Sequence, residues 1–402
     1  MKATTLGALC TGGDALLQTG PFGSQLHAHE YSPDGVAVVM PSDIRAGQLD
    51  LREAAHIPPV TASRLRRHSL RAGDIVYSRR GDVEKCALVH ERNLPAICGT
   101  GSLLVRVNRD EAVPGYVAHR LNHEDTRKWI RQHAVGATMP NLNTQILANV
   151  PLQVPPLPEQ QAIAEVLGAL DDKIAANATL IQRALTLAET HFQFSRGRAT
   201  QLSTFDEVGL IGGGATPSTK VSEYWGGEVN WAAPSDITAL DAPYLWRTPR
   251  TLTKAGLNAC SSPLYPAGSI LMTSRATIGA FAVAMVPTAV NQGFIVVQPR
   301  DAELKWWLFH EMRHRVPEFL NQANGATFLE LPRGKFRSLP LTLPDGRDLS
   351  RFHALATSLH DRASAADRES QTLAALRDAL IPPLMDGTLR VKDAVRRAER
   401  VL

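Results

Sequence analysis

Short apolar runs separated by glycine- and proline-rich turns fill two stretches of this chain, and each stretch gives way to a long run with helical spacing. The strand-like runs are residues 36–40, 74–77 and 102–107 in the first stretch and 229–232, 269–273 and 293–297 in the second,. A helical pattern follows in each, over 113–133 and over 302–321, the latter interrupted at Pro317,. One more strand-like run leads into each proline cluster, at 150–156 and 339–344. The prolines then stop. Beyond residue 159, apolar or small residues recur at Ile163, Leu167, Leu170, Ile174, Ile181, Ala184 and Ala188 in steps of three and four, with Asn177 as the one polar member. A second seam holds Phe352, Leu355, Leu359, Ala366, Leu373 and Leu380. Both read as heptad seams. Helices of this size extend roughly 45–60 Å at 1.5 Å per residue. Each is too one-sided to be stable alone, so each seam needs a partner. Antiparallel pairing of the two helices satisfies both and predicts a rigid rod between globular parts. The alternative is that each helix covers its own globular domain.

The two stretches are copies of one unit. Pro41-Ser42-Asp43-Ile44 returns as Pro234-Ser235-Asp236-Ile237, Ala72-Gly73-Asp74-Ile75 as Ala267-Gly268-Ser269-Ile270, and Gly136-Ala137-Thr138 as Gly325-Ala326-Thr327. Order is kept and spacing nearly so, which marks a duplication. The expected fold is mixed α/β: two globular domains joined by two long antiparallel coiled-coil helices, in a pseudo-twofold internal repeat. The expected boundaries are a first globular domain at 1–152, a helical region at 153–198, a second globular domain at 199–343, a helical region at 344–390 and a tail at 391–402.

With 402 residues, 44% apolar and 20% charged, the chain can bury sizeable cores,. No apolar run approaches the roughly 18 residues of a membrane span, and the first residues form no signal-peptide h-region,. No membrane association is expected, and cytoplasm is the expected compartment. The four cysteines form no C-x-x-C pair, which argues against a zinc ribbon or a thioredoxin-type centre,. The net charge of +4 matters less than its placement. Between residues 61 and 85, Arg64, Arg66, Arg67, Arg71, Arg79, Arg80 and Lys85 outnumber Asp74, Asp82 and Glu84. Between residues 242 and 300, Arg247, Arg250, Lys254, Arg275 and Arg300 stand with no acid at all. Equivalent parts of both copies are therefore cationic, which suits a phosphate backbone better than a solvated surface alone.

Three motifs in this frame carry a resemblance. Pro155-Pro156-Leu157-Pro158-Glu159-Gln160-Gln161-Ala162-Ile163-Ala164 leads into Leu170-Asp171-Asp172-Lys173-Ile174. Gly212-Gly213-Gly214-Ala215-Thr216-Pro217-Ser218-Thr219-Lys220 precedes Tyr224-Trp225-Gly226-Gly227, Trp231, Thr273-Ser274-Arg275-Ala276-Thr277-Ile278-Gly279 and Asn291-Gln292-Gly293-Phe294. The chain closes on Ile381-Pro382-Pro383-Leu384-Met385-Asp386-Gly387-Thr388-Leu389-Arg390-Val391. In this order the chain resembles the specificity (S) subunits of type I restriction-modification systems over nearly its whole length. It departs from the pattern where the second junction, Leu343-Pro344-Asp345-Gly346, lacks the Glu-Gln-Gln run. The first domain also opens on Gly20-Pro21-Phe22-Gly23-Ser24 rather than Thr-Pro-Ser-Thr.

The resemblance implies a non-catalytic subunit that binds double-stranded DNA. Each globular domain would be a target-recognition domain reading one half-site, and two unlike copies imply an asymmetric, bipartite target. Half-sites on one duplex face lie about one helical turn apart, 34–36 Å, within reach of the rod. The implied partners are two modification (methyltransferase) subunits and, in a complete nuclease, restriction subunits. S-adenosylmethionine, and ATP with Mg, would sit on those partners and no cofactor on this chain. The chain has no Asn/Asp-Pro-Pro-Phe/Tyr methylase motif and no Walker lysine motif,. The basic turns supply the DNA-contact candidates: Arg79, Arg80 and Lys85 in the first domain and Lys220, Arg275 and Thr277 in the second. Arg64, Arg66 and Arg67 suit phosphates. Two other readings stay open: a specificity module of a different restriction or methylation machine, and a coiled-coil scaffold that binds only proteins.

His310-Glu311-Met312-Arg313-His314 matches the zinc-protease pattern H-E-x-x-H,. Pro317 interrupts the helix just beyond it, and the duplicated frame places Leu121 and Asp125 opposite the two histidines. Both observations disfavour a metal centre, and no metal site is expected.

Overall fold

The computed structural model describes residues 1–45, 47–136, 140–325 and 329–399. The repeated Gly-Ala-Thr triplets fall partly outside that set, at Ala137, Thr138, Ala326 and Thr327. Two compact units emerge, one of residues 1–172 and 373–402, the other of residues 173–372.

In the first unit, Leu16–Thr19, Ser102–Arg106, Ile75–Ser78 and Cys86–Leu88 form an antiparallel sheet in that order. Val36–Val39 forms a second sheet, antiparallel to Ala55–Ile57 and parallel to Ala96–Cys98. Lys2–Thr5 pairs with Pro151–Val154 and so ties the chain's start to the strand before the first proline cluster. Every residue of Ile75–Ser78 is buried, so the strand shows no alternation of apolar and polar faces.

The second unit repeats this plan. Gly209–Gly212, Phe294–Pro299, Ile270–Arg275 and Thr277–Ala284 are ordered in the same way, extended by a parallel strand at Tyr244–Leu245. Trp225–Ala232 lies antiparallel to Thr251–Leu252 and parallel to Thr288–Val290. Gln201–Thr204 pairs with Pro340–Leu343. The internal repeat is thus a repeat of strand order and strand direction.

The helical stretches differ in detail from expectation. Residues 113–133 are two helices, Pro114–Leu121 and Glu124–His133. No proline marks the break; the His123 Nδ1 accepts the Asp125 N–H and caps the second helix,. In the second copy the helices are Leu304–His314 and Val316–Gln322. Here Pro317 has no N–H to continue the ladder, so it sits in a new first turn.

The long helices span Leu157–Arg196 and Gly346–Met385. The second runs past Pro382 and Pro383 and stays within the expected helical region, with Leu384 and Met385 just beyond the prolines buried. Gln160 explains part of the first junction: buried, it donates to the Pro155 carbonyl (2.9 Å) and accepts from the Val113 N–H (2.9 Å). The second junction uses a different cap, Asp345, whose Oδ1 accepts the Asp348 N–H (2.9 Å),.

Within each unit the two helices meet antiparallel. In the first unit Asp171 holds Arg377 at 2.7 Å, beside buried Ile163, Leu167, Leu170, Leu373 and Leu380. In the second, Glu369 takes both Lys173 (3.3 Å) and the buried Asn177 amide (2.7 Å), while Phe192 meets Phe352 further along. Ile181 is buried and Ile174 half-buried. Leu355 and Leu359 are only half-buried; one position further on, Ala356 and His360 are fully so.

Candidate nucleic-acid interface

Each unit ends its main sheet in a hairpin turn fastened to two neighbouring loops. In the first unit the strands Ile75–Ser78 and Cys86–Leu88 are joined by residues 79–85. The Arg79 N–H donates to the Gly101 carbonyl (2.8 Å) and its carbonyl accepts from Leu142 (2.9 Å). Arg80 forms a backbone bridge with Asn141, and Gly81 turns the chain at φ +75°. In the second unit Ser274 donates to the Gly293 carbonyl (2.8 Å) and accepts from Leu331 (2.9 Å). Arg275 bridges Glu330, and Ala276 turns the chain at φ +62°. The correspondence is residue for residue. Among the described residues, Ala276 is the one non-glycine in a left-handed conformation, and the Leu329 carbonyl holds its N–H at 2.9 Å,.

The sequence candidates separate accordingly. Arg80 and Lys85 are exposed, with Lys85 paired to Asp82 at 3.1 Å. Arg79 is half-buried and donates to the Leu142 carbonyl (3.3 Å), which makes it a fastener of the turn. Arg64, Arg66 and Arg67 stand on a different element, the helix Pro59–Arg64 and the turn after it. Arg64 is engaged by Glu30, whose carboxyl is held below its usual range by the His27 N–H and then by Arg64. Arg67 donates to His68 Nε2 (2.9 Å), and burial together with Arg67 keeps that imidazole low and neutral. Arg66 is exposed. Arg275 and Thr277 flank the second turn, both exposed. Lys220 belongs to another loop, held where the Trp225 indole donates to the Ser218 carbonyl (3.2 Å) and carries Arg250 stacked 3.6 Å above its ring.

Sequence reasoning missed several residues. Glu84 accepts from Arg127 (3.1 Å) and Arg131 (2.6 Å), fastening the first turn to the helix Glu124–His133. In the second unit Arg333 lies against Gly213, and Arg337 donates to the Ile211 carbonyl (2.7 Å). The duplicated frame could have flagged these, since it sets Arg333, Lys335 and Arg337 opposite Thr144, Ile146 and Ala148. The glycines of 212–214 have a packing reason: a Cβ on Gly214 would lie 1.8 Å from the Val290 carbonyl oxygen, and Tyr265 donates to the Gly213 carbonyl (2.5 Å),.

The H-E-x-x-H residues do not converge on a metal position. Glu311 is buried and accepts from Arg196 (2.8 Å). His314 meets Gln193 at 3.0 Å. His310 is buried in a chain of hydrogen bonds: its Nδ1 meets Glu189 (2.7 Å), its Nε2 meets His360 Nε2 (3.1 Å), and His360 Nδ1 meets the Tyr244 hydroxyl (2.9 Å). Burial lowers both imidazoles' proton affinity, His360 down to about 2. With both neutral and a carboxylate at one end, every bond has one direction: Tyr244 donates to His360, His360 to His310, and His310 to Glu189.

A sequence family described as type I restriction modification DNA specificity domain matches residues 69–185 and 200–360, more than half of the chain. The chain belongs to this family. Among specificity-subunit relatives, the type I restriction enzyme MjaIX specificity subunit of Methanocaldococcus jannaschii is 31% identical over 169 residues. That match covers 42% of this chain and 39% of the relative, so it spans less than half of either. The putative type I restriction enzyme MjaX specificity subunit of the same organism is 19% identical, over 89% of this chain and 88% of that protein. The crystal structure of a type I restriction-modification S subunit from M. genitalium shares the fold over 95% of both chains, with a TM-score of 0.60 and 15% identity. The fold is therefore that of specificity subunits: two mixed α/β recognition domains with two long antiparallel helices. Among the described residues no helix is long and apolar enough to cross a membrane.

Proposed function

We propose that this chain is the DNA-reading, non-catalytic subunit of a type I restriction-modification complex, with one recognition domain for each half of a bipartite, asymmetric target. The observation that carries the reading is one scaffold used twice with different side chains at equivalent places. Gly81 stands opposite Ala276, Asn141 opposite Glu330 and Thr144 opposite Arg333. A shared scaffold with unlike turn residues is what two readers of unlike sequences need. Arg80, Lys85, Arg275 and Thr277 are the proposed groove contacts; Arg64, Arg66, Arg67 and Lys220 are proposed on phosphates. The long helices are the proposed docking surface for two adenine-methyltransferase subunits. Those subunits would hold S-adenosylmethionine, and a restriction subunit would hold ATP and Mg.

The test exchanges residues 1–152 for the equivalent domain of another specificity subunit, co-expresses the chimera with the modification subunits, and maps methylated adenines by long-read sequencing. One half of the motif should change and the other persist. Change in both halves would sink the assignment of one domain to each half.

A further inference from the structure

The second recognition turn carries an acid where a phosphate-binding surface would do better without one. Glu330 bridges Arg275 through the backbone, and their side chains stand 3.8 Å apart, each about half exposed (49% and 50%). Two cations, Arg333 and Lys335, follow it within five residues in sequence, and its backbone also bridges the uncharged Asn324. A carboxylate here weakens attraction to every phosphate, whatever the sequence. Its position is rigid: the Ala276 N–H donates to the Leu329 carbonyl and the Leu331 N–H to the Ser274 carbonyl, two backbone hydrogen bonds of 2.9 Å that lock the turn to the segment 329–331. The equivalent bridge in the first unit pairs Arg80 with Asn141, which has no charge.

We propose that Glu330 is a specificity-determining residue: its carboxylate accepts the amino group of a cytosine in the major groove of the second half-site, with Arg275 on a guanine beside it. The assignment rests on the DNA-recognition reading above. The chemistry follows from the groove edges. Cytosine presents an N4 amino donor that a carboxylate accepts, and guanine presents O6 and N7 to a forked guanidinium. Holding acceptor and fork side by side also fixes the arginine's orientation in the free protein, so less freedom is lost on binding. Loss of the Glu330 charge has two separable signatures. A surface charge alters affinity for all duplexes alike, whereas a base reader alters preference at one position.

The experiment uses the full chain co-expressed with its modification subunits and a library of randomised duplexes. Wild type, Glu330→Gln and Arg275→Lys are each selected and sequenced. Glu330→Gln keeps the shape of an exposed side chain, so folding is not at issue. The expected result is a two-part wild-type motif in which one cytosine of one half relaxes in E330Q, losing a preference of about 10- to 100-fold. R275K should relax a guanine in that same half. A wild-type motif that E330Q binds more tightly but leaves unchanged in every position would overturn the assignment of Glu330. So would relaxation in both halves. A wild-type chain that selects no motif would overturn the DNA-recognition reading itself, and Glu330 with it.

Discussion

Replacing Phe192 with alanine is expected to destabilise the second unit by about 3–5 kcal/mol. Phe192 lies four residues before the end of the first long helix and is fully buried. Its ring meets Trp307 edge-on at 5.0 Å, Phe352 of the second long helix at 6.1 Å and His310 at 5.5 Å. One side chain therefore joins both helices to the core of the second recognition domain. Truncation removes its transfer free energy and leaves a cavity where three helices meet, which they can close only in part,. The loss is a large fraction of the roughly 5–15 kcal/mol that holds a folded domain. Every tryptophan except Trp129 lies in this unit, so urea unfolding followed by tryptophan fluorescence reports it directly. A change below about 0.5 kcal/mol, the size of an ordinary surface substitution, would show that Phe192 does not anchor the helix. In the methylation assay, the half of the motif read by the second domain should weaken first in this variant.

Acid should loosen the same junction through His360. Burial, and then the nearby His310, Lys305 and Arg313, push its proton affinity from 6.5 to about 2, while its ring stacks 3.6 Å from Trp306. The unfolded chain takes up a proton near pH 6.5 and the folded chain does not. The contribution of the neutral His360 to stability is therefore fully present above pH 6.5 and declines as pH falls below it. Between pH 7 and pH 5 the decline is about 2 kcal/mol. Asp367 acts in the opposite direction: burial raises its carboxyl to about 6, so the folded state gains from its protonation over the same range. The readout is thus the difference between wild type and His360→Phe, in which the Asp367 contribution cancels. The variant should be less stable at pH 7, because Tyr244 and His310 each lose a hydrogen-bond partner. Its deficit should shrink by about 2 kcal/mol at pH 5. A deficit that does not vary with pH would mean that His360 stays neutral for no energetic reason of its own, and the directed chain from Tyr244 to Glu189 would have to be redrawn.

The second predicted seam shows where sequence reading stops. Leucines at 355 and 359 satisfy a heptad pattern, yet the fully buried positions beside them are Ala356 and His360. Small residues such as Ala356 and Ala363 let the helix approach a partner closely, and hydropathy alone does not rank them above leucine. The H-E-x-x-H run behaves similarly. Its spacing is right for zinc, but partners more than a hundred residues away in sequence, Glu189 and Arg196, occupy its side chains. Glu330 escaped notice because its meaning comes from Arg275, 55 positions earlier.

By itself the sequence determined the duplication, several of the strands, the two long helices and the cationic turns. Each of these is written in local signals: period-two and heptad spacing, proline and glycine punctuation, and runs of like charge. The tertiary structure alone decided the break at His123, the exact face that the second long helix buries, the closed hydrogen-bond chain around His310, and the acid set beside Arg275. These depend on which distant surface meets a residue, and a partner brought close by folding changes the burial and charge that its own neighbours in sequence provide.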